Sequence, residues 1–122
     1  MSARIVLVDD DTGFAEVLAE VLRIERHEVR TFPTADEALA WLLAGGKVDI
    51  VLLDLHTPGM SADRFQELLR STIPPRDLPI VVISGDPDLY TAAAAMGAED
   101  AISKPVDIER LLTAIRRHDS LN

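Results

Sequence analysis

The chain has no cysteine, only two lysines (Lys47 and Lys104), and one Trp, one Tyr and three Phe among 122 residues. The absence of cysteine excludes disulfides and thiolate metal sites. No apolar run approaches the ~18 residues that a membrane-crossing helix needs. Basic residues are also scarce, 12 against 21 acids for a net charge of -9, which counts against the basic stripe of a nucleic-acid-binding surface. Met1-Ser2-Ala3-Arg4 runs straight into an apolar segment with no signal-peptide layout, so the expected location is cytoplasmic. Low-complexity segments and internal linkers are missing too. At 48% apolar and 27% charged, 122 residues make one globular domain, 1–122, with enough apolar content for a core.

What is present is a set of short apolar runs that end in polar groups. Ile5-Val6-Leu7-Val8 ends in Asp9-Asp10, and Val48-Asp49-Ile50-Val51-Leu52-Leu53 ends in Asp54. Ile80-Val81-Val82-Ile83 ends in Ser84, and Ala101-Ile102-Ser103 ends in Lys104. Thirteen of the 21 acids are Asp, several of them at such run ends, and Lys104 is one of only two lysines.

Helical periods separate the runs. Phe14, Val17, Leu18, Val21 and Leu22 follow the i, i+3, i+4, i+7 spacing of an amphipathic helix, with Asp11 as its cap. Glu28 to Phe32 alternates as a strand. Thr34 and Glu37 form a capping box for a helix through Ala38, Leu39, Trp41, Leu42 and Leu43, stopped by Gly45-Gly46. After the loop Thr57-Pro58-Gly59-Met60, a helix starts at Ser61 or Ala62, carries Phe65, Leu68 and Leu69, and ends at Pro74-Pro75. Asp86 is the expected N-cap of the next helix, with Pro87 at its first position, running past Tyr90 to Met96 and ending at Gly97. Trp41 and Tyr90 are expected to be partly buried, His27 and His118 solvated. A short strand from Asp100 to Ser103 precedes a last helix with Ile108, Leu111, Leu112 and Ile115, whose end carries Arg116, Arg117 and His118.

Five strand–helix units in strict alternation imply a parallel sheet covered on both faces. With right-handed crossovers the fold is α/β, a flavodoxin-like doubly wound five-stranded sheet in the order 2-1-3-4-5 with five helices. The first and third strands are then neighbours at the switch point, so Asp9, Asp10 and Asp54 meet there, with Ser84 and Lys104 beside them. Two like charges ~4 Å apart repel by roughly 4 kcal/mol at an effective dielectric of ~20. Protons or a cation must relieve three such acids. All-oxygen ligands suit a hard ion, Mg²⁺ above all. Asp9, Asp10, Asp54 and Lys104 sum to -3 + 1 = -2, which one Mg²⁺ would neutralise.

Val8-Asp9-Asp10-Asp11, Leu53-Asp54-Leu55-His56-Thr57-Pro58-Gly59-Met60, Ile83-Ser84-Gly85 and Ser103-Lys104-Pro105 resemble the receiver domain of bacterial two-component response regulators, in order and spacing over nearly the whole chain. The resemblance implies a signalling receiver rather than an enzyme. Asp54 would accept a phosphoryl group from a histidine kinase or histidine phosphotransfer protein. Asp9, Asp10, Asp54 and the His56 backbone carbonyl would hold Mg²⁺. Lys104 would pair with one phosphoryl oxygen and the Ser84 hydroxyl would bond another. His56 and Asp86, flanking the site, are expected to tune the lifetime of the phosphoryl group. The chain departs from the family where an aromatic usually stands three residues before the lysine: here it is Ala101, so the usual coupled swing of hydroxyl residue and aromatic cannot occur. Ser61-Ala62 likewise replaces a common Asp-Gly. A receiver-like interaction module acting without phosphate is the competing reading. A haloacid-dehalogenase-like phosphohydrolase would want a second acid where His56 stands, and no Gly-rich phosphate or dinucleotide loop follows the first strand. The output domain or target is left open, a homodimer fits the family, and neither direct nucleic-acid binding nor membrane insertion is expected of this domain.

Overall fold

Four apolar runs and the alternating segment Glu28–Phe32 become the five strands of one parallel sheet in the computed structural model, which describes residues 2–72 and 78–118. The elements alternate as β1 (Arg4–Val8), α1 (Thr12–Ile24), β2 (Glu28–Phe32), α2 (Ala35–Leu43), β3 (Ile50–Asp54), α3 (Ala62–Thr72), β4 (Ile80–Ser84), α4 (Leu89–Met96), β5 (Asp100–Ser103) and α5 (Ile108–His118). The sheet order is β2-β1-β3-β4-β5, as the alternation implies. Val8 of β1 stands opposite Leu53 of β3, and Ser84 of β4 opposite Ser103 of β5. Two backbone bonds carry the pairing one residue further: the Asp9 N–H donates to the Phe32 carbonyl at 3.0 Å, and the Lys104 N–H to the Ser84 carbonyl at 2.9 Å. The ends of four strands are thereby brought to one edge in register.

The strands β3 and β4 are buried along their whole length, because helices cover both sheet faces. Val8, Val51, Leu53 and Val82 pack with Leu39, Phe65 and Leu89 on the side of α2, α3 and α4. Leu7, Leu52, Val81 and Ile83 pack with Leu18, Leu22, Leu111 and Ile115 on the side of α1 and α5. Each large side chain so buried contributes about 1.5–3 kcal/mol. Beneath the sheet, Asp49 is 1% exposed and accepts from the Arg4 N–H and guanidinium at 2.7–3.1 Å, an ion pair the apolar pattern does not announce. The hydrogen bond to Asp49, and then its charge, raise the Arg4 pKa further.

Several expectations shift by small rotations. The inward stripe of α1 is Ala15, Leu18, Ala19 and Leu22, while Val17 is 65% exposed. Small alanines let the helix sit close to the sheet, and that turns the valine outward. Asp86 does not cap α4: its carboxylate accepts from the Asp88 N–H at 2.8 Å in a turn, and the helix begins at Leu89. Asp88 takes the cap position without a side-chain bond. The Thr34 hydroxyl accepts from the Glu37 N–H and donates to the Glu37 carboxylate, both at 3.2 Å, so the capping box closes through the hydroxyl. Trp41 is partly buried against Phe32, but Tyr90 is exposed, since Leu89 and Ala93 take the inward face of α4. The histidines at 27 and 118 are not free: His27 Nδ1 accepts from the Ala3 N–H at 3.0 Å, and His118 Nε2 lies 3.4 Å from Asp100 Oδ2. Pro74-Pro75 lies outside the described residues. Gly97 ends α4 at φ 71°, a conformation glycine adopts without strain. At the sheet edge, the Arg23 guanidinium donates to the Val29 carbonyl of β2 at 2.8 Å.

Candidate functional site

The sheet's carboxyl edge gathers Asp9, Asp10, Asp54, Ser84 and Lys104. Asp9 and Ser84 are each 2% exposed and Asp54 is 8% exposed, whereas Asp10 is open to solvent. One carboxylate oxygen from each of Asp9, Asp10 and Asp54 lies within 4.8 Å of the others. Lys104 Nζ reaches in from the end of β5, 2.8 Å from Asp9 Oδ2 and 3.7 Å from Asp54 Oδ2. The cluster is thus acid-rich with one ammonium.

Local hydrogen bonds fix Asp9, Asp54 and Ser84. The Asp11 N–H donates to Asp9 Oδ1 at 2.9 Å, which turns the chain into α1, and Asp11 Oδ1 then caps the helix by accepting from the Phe14 N–H at 3.1 Å. The His56 N–H donates to Asp54 Oδ1 at 3.3 Å. The Asp86 N–H donates to Ser84 Oγ at 3.1 Å, so the hydroxyl proton stays available to an acceptor in the site. Gly59, at φ 86°, lets the loop after β3 turn, and Asp36 Oδ1 holds that loop by accepting from the Met60 N–H at 2.8 Å. Ser61 caps α3, its hydroxyl accepting from the Arg64 N–H at 3.1 Å.

Burial pushes the Asp54 carboxyl above the ordinary carboxylate range, and the charges of Asp9 and Asp10 push the same way. The His56 N–H and the Lys104 charge pull against them without prevailing. Burial also works against the Lys104 ammonium, but its bond to Asp9 and the charges of Asp54, Asp9 and Asp11 outweigh it and raise its pKa. Lys104 therefore stays charged. The donor set of three carboxylates is the all-oxygen chemistry that Mg²⁺ takes, and the surplus of negative charge is what a dication relieves. The residues fit the ion.

Two contacts at the rim were not legible in the pattern. His56 Nε2 and Asp86 Oδ2 meet at 2.6 Å, tying the loop after β3 to the loop after β4. The Phe14 ring lies under Lys104, its centroid 4.4 Å from Nζ. Phe14 stands one helical turn beyond Asp9-Asp10-Asp11, the only signal that could have placed it here. Ala101 is 5% exposed and packs in the cluster that also holds Leu89 and Ala93.

A family model of the response regulator receiver domain matches residues 5–116. The chain belongs to this family. Its relatives include the response regulator protein FleR of Pseudomonas aeruginosa, 30% identical over 118 residues, covering 97% of this chain and 25% of FleR. The fold of this receiver matches the chemotaxis protein CheY4 of Vibrio cholerae with a TM-score of 0.84 at 25% identity, over 97% of this chain and 99% of CheY4. It also matches a CheY-like receiver domain protein of Methanospirillum hungatei JF-1, with a TM-score of 0.83 at 28% identity, over 96% and 93% of the two chains. The receiver spans 24 to 29% of the length of the first curated relatives it matches.

Proposed function

We propose that this receiver, as one unit over residues 1–122, accepts a phosphoryl group on Asp54 from the phosphohistidine of a histidine kinase or phosphotransfer protein. One observation carries this reading: Asp54, Asp9 and Asp10 converge within 4.8 Å while Lys104 stands 2.8 Å from Asp9 and 3.7 Å from Asp54. A carboxylate oxygen of Asp54 attacks phosphorus, the P–N bond breaks, and the imidazole leaves and takes up a proton. Asp9, Asp10, Asp54 and the His56 carbonyl would hold Mg²⁺, which when bound supplies positive charge to the phosphoryl oxygens. Lys104 pairs with one of those oxygens, and the Ser84 hydroxyl donates to another. The work of the protein is placement and charge compensation rather than proton transfer. Because the Asp86 N–H is bonded to Ser84 Oγ, a move of Ser84 toward the phosphoryl group draws the loop after β4 with it, and with that loop the His56–Asp86 bridge. That shift is the output to a partner or an attached domain.

Incubation with phosphoramidate and Mg²⁺ tests this. The expected result is a gain of one phosphoryl group, lost in Asp54→Asn. Ala101 favours a second reading, an interaction module independent of phosphate, because the family's aromatic reporter is absent. An unmodified Asp54 after the incubation would select that reading.

A further inference from the structure

Lys104 has a resting partner that it must share. Its Nζ is 2.8 Å from Asp9 Oδ2, and Asp9 belongs to the trio that would hold the metal. Two cations on one carboxylate repel, so the ammonium is loosened from Asp9 in the loaded site. A long, flexible side chain released in this way would leave toward water. To meet the phosphoryl oxygens it needs a seat beside Asp54 that consumes no carboxylate oxygen.

The Phe14 ring is such a seat. Its centroid lies 4.4 Å from Nζ, well inside the range where the negative face of an aromatic ring attracts an ammonium. The ring is partly buried against the core below α1, and its backbone is pinned by the Asp11 cap at 3.1 Å. One of three phenylalanines thus meets one of two lysines at the site. A leucine would fill the same space but offer no negative face.

We propose that Phe14 is a positioning residue for Lys104, holding the ammonium on its ring face beside Asp54 when Asp9 is engaged by a metal. The proposal rests on the reading of Asp54 as the phosphoryl acceptor. The contact with Asp9 orders the lysine in the resting state, and the contact with Phe14 orders it in the loaded one.

The variants Phe14→Leu, which keeps an apolar side chain, and Phe14→Trp, which keeps a ring face, separate positioning from packing. With lysine labelled selectively, only two lysines contribute NMR signals, and Lys47→Arg assigns them. The Lys104 methylene protons nearest Nζ are expected to be shifted upfield by the ring, with and without Mg²⁺, in wild type and Phe14→Trp but not in Phe14→Leu. Phosphorylation by phosphoramidate in Mg²⁺ is expected to slow about three- to ten-fold in Phe14→Leu, the size an ammonium–ring contact gives, and to stay within about two-fold in Phe14→Trp. Loss of the upfield shift when Mg²⁺ is added to wild type overturns the proposal. So does a Phe14→Leu rate equal to wild type, or an equal slowing in both variants. A wild-type protein that takes no phosphoryl group defeats the reading of Asp54 instead, and the NMR measurement still decides whether the ring holds the ammonium.

Discussion

Asp54 carries its charge where burial and two neighbouring acids resist it, and its pKa is raised accordingly. A carboxyl with a raised pKa binds its proton more tightly in the folded chain than in the unfolded one. Its contribution to stability is therefore present at low pH and lost as pH rises through the folded value, leaving the ionised group a burden at neutral pH. Asp54→Asn removes that burden. In metal-free buffer at pH 7 it is expected to raise the unfolding free energy by about 1 kcal/mol. The gain should shrink as pH falls into the ordinary carboxylate range, and urea melts at the two pH values would show it. Beside Asp54, the His56–Asp86 contact at 2.6 Å restrains two loops at once. We expect His56→Ala and Asp86→Ala each to speed loss of the phosphoryl group, with the double variant no faster than the singles because the pair acts as one unit. Unchanged dephosphorylation in both single variants would remove this role from the pair.

Between β5 and α5, one carboxylate bridges the two elements. Burial disfavours the charged Asp100, yet the Arg110 guanidinium at 3.1 Å and the Ala101 N–H at 2.9 Å outweigh it and hold its pKa below the ordinary value. A depressed pKa contributes stability above the unfolded value of about 3.9, and this is lost as pH falls through the folded one. Asp100→Asn should thus destabilise the protein by about 1–3 kcal/mol at pH 7, and the difference from wild type should vanish in strong acid; melts followed across pH measure this directly. Elements of this kind were legible in part. The strand order followed from unbroken apolar runs alternating with helical periods, and it alone brought Asp9, Asp10, Asp54, Ser84 and Lys104 to one edge. What escaped the pattern depends on contacts between distant positions. Arg4 and Asp49 stand 45 residues apart, and His56 and Asp86 stand 30 apart. The choice of Ala15 over Val17 for the inner face of α1 depends on how closely that helix approaches the sheet, which hydrophobicity along one helix does not encode.

At the scale of the molecule, a metal held at this site would couple its binding to folding. Asp54 stands beside Asp9 and Asp10 only in the folded chain, which makes the native state the better ligand. Mg²⁺ is expected to raise the melting temperature progressively with the logarithm of its concentration, by the equivalent of ~2.7 kcal/mol at one hundred times its dissociation constant. Asp9→Asn should weaken that response, and a thermal titration of both proteins compares them. The rest of the molecule must keep this edge free while facing neighbours in solution. The parallel sheet ends at β2, whose outward carbonyl at Val29 is already taken by Arg23 at 2.8 Å. A foreign strand laid along this margin would have to evict a guanidinium before forming its first rung. One arginine from α1 thereby guards the β2 edge of the sheet against growing by strand addition.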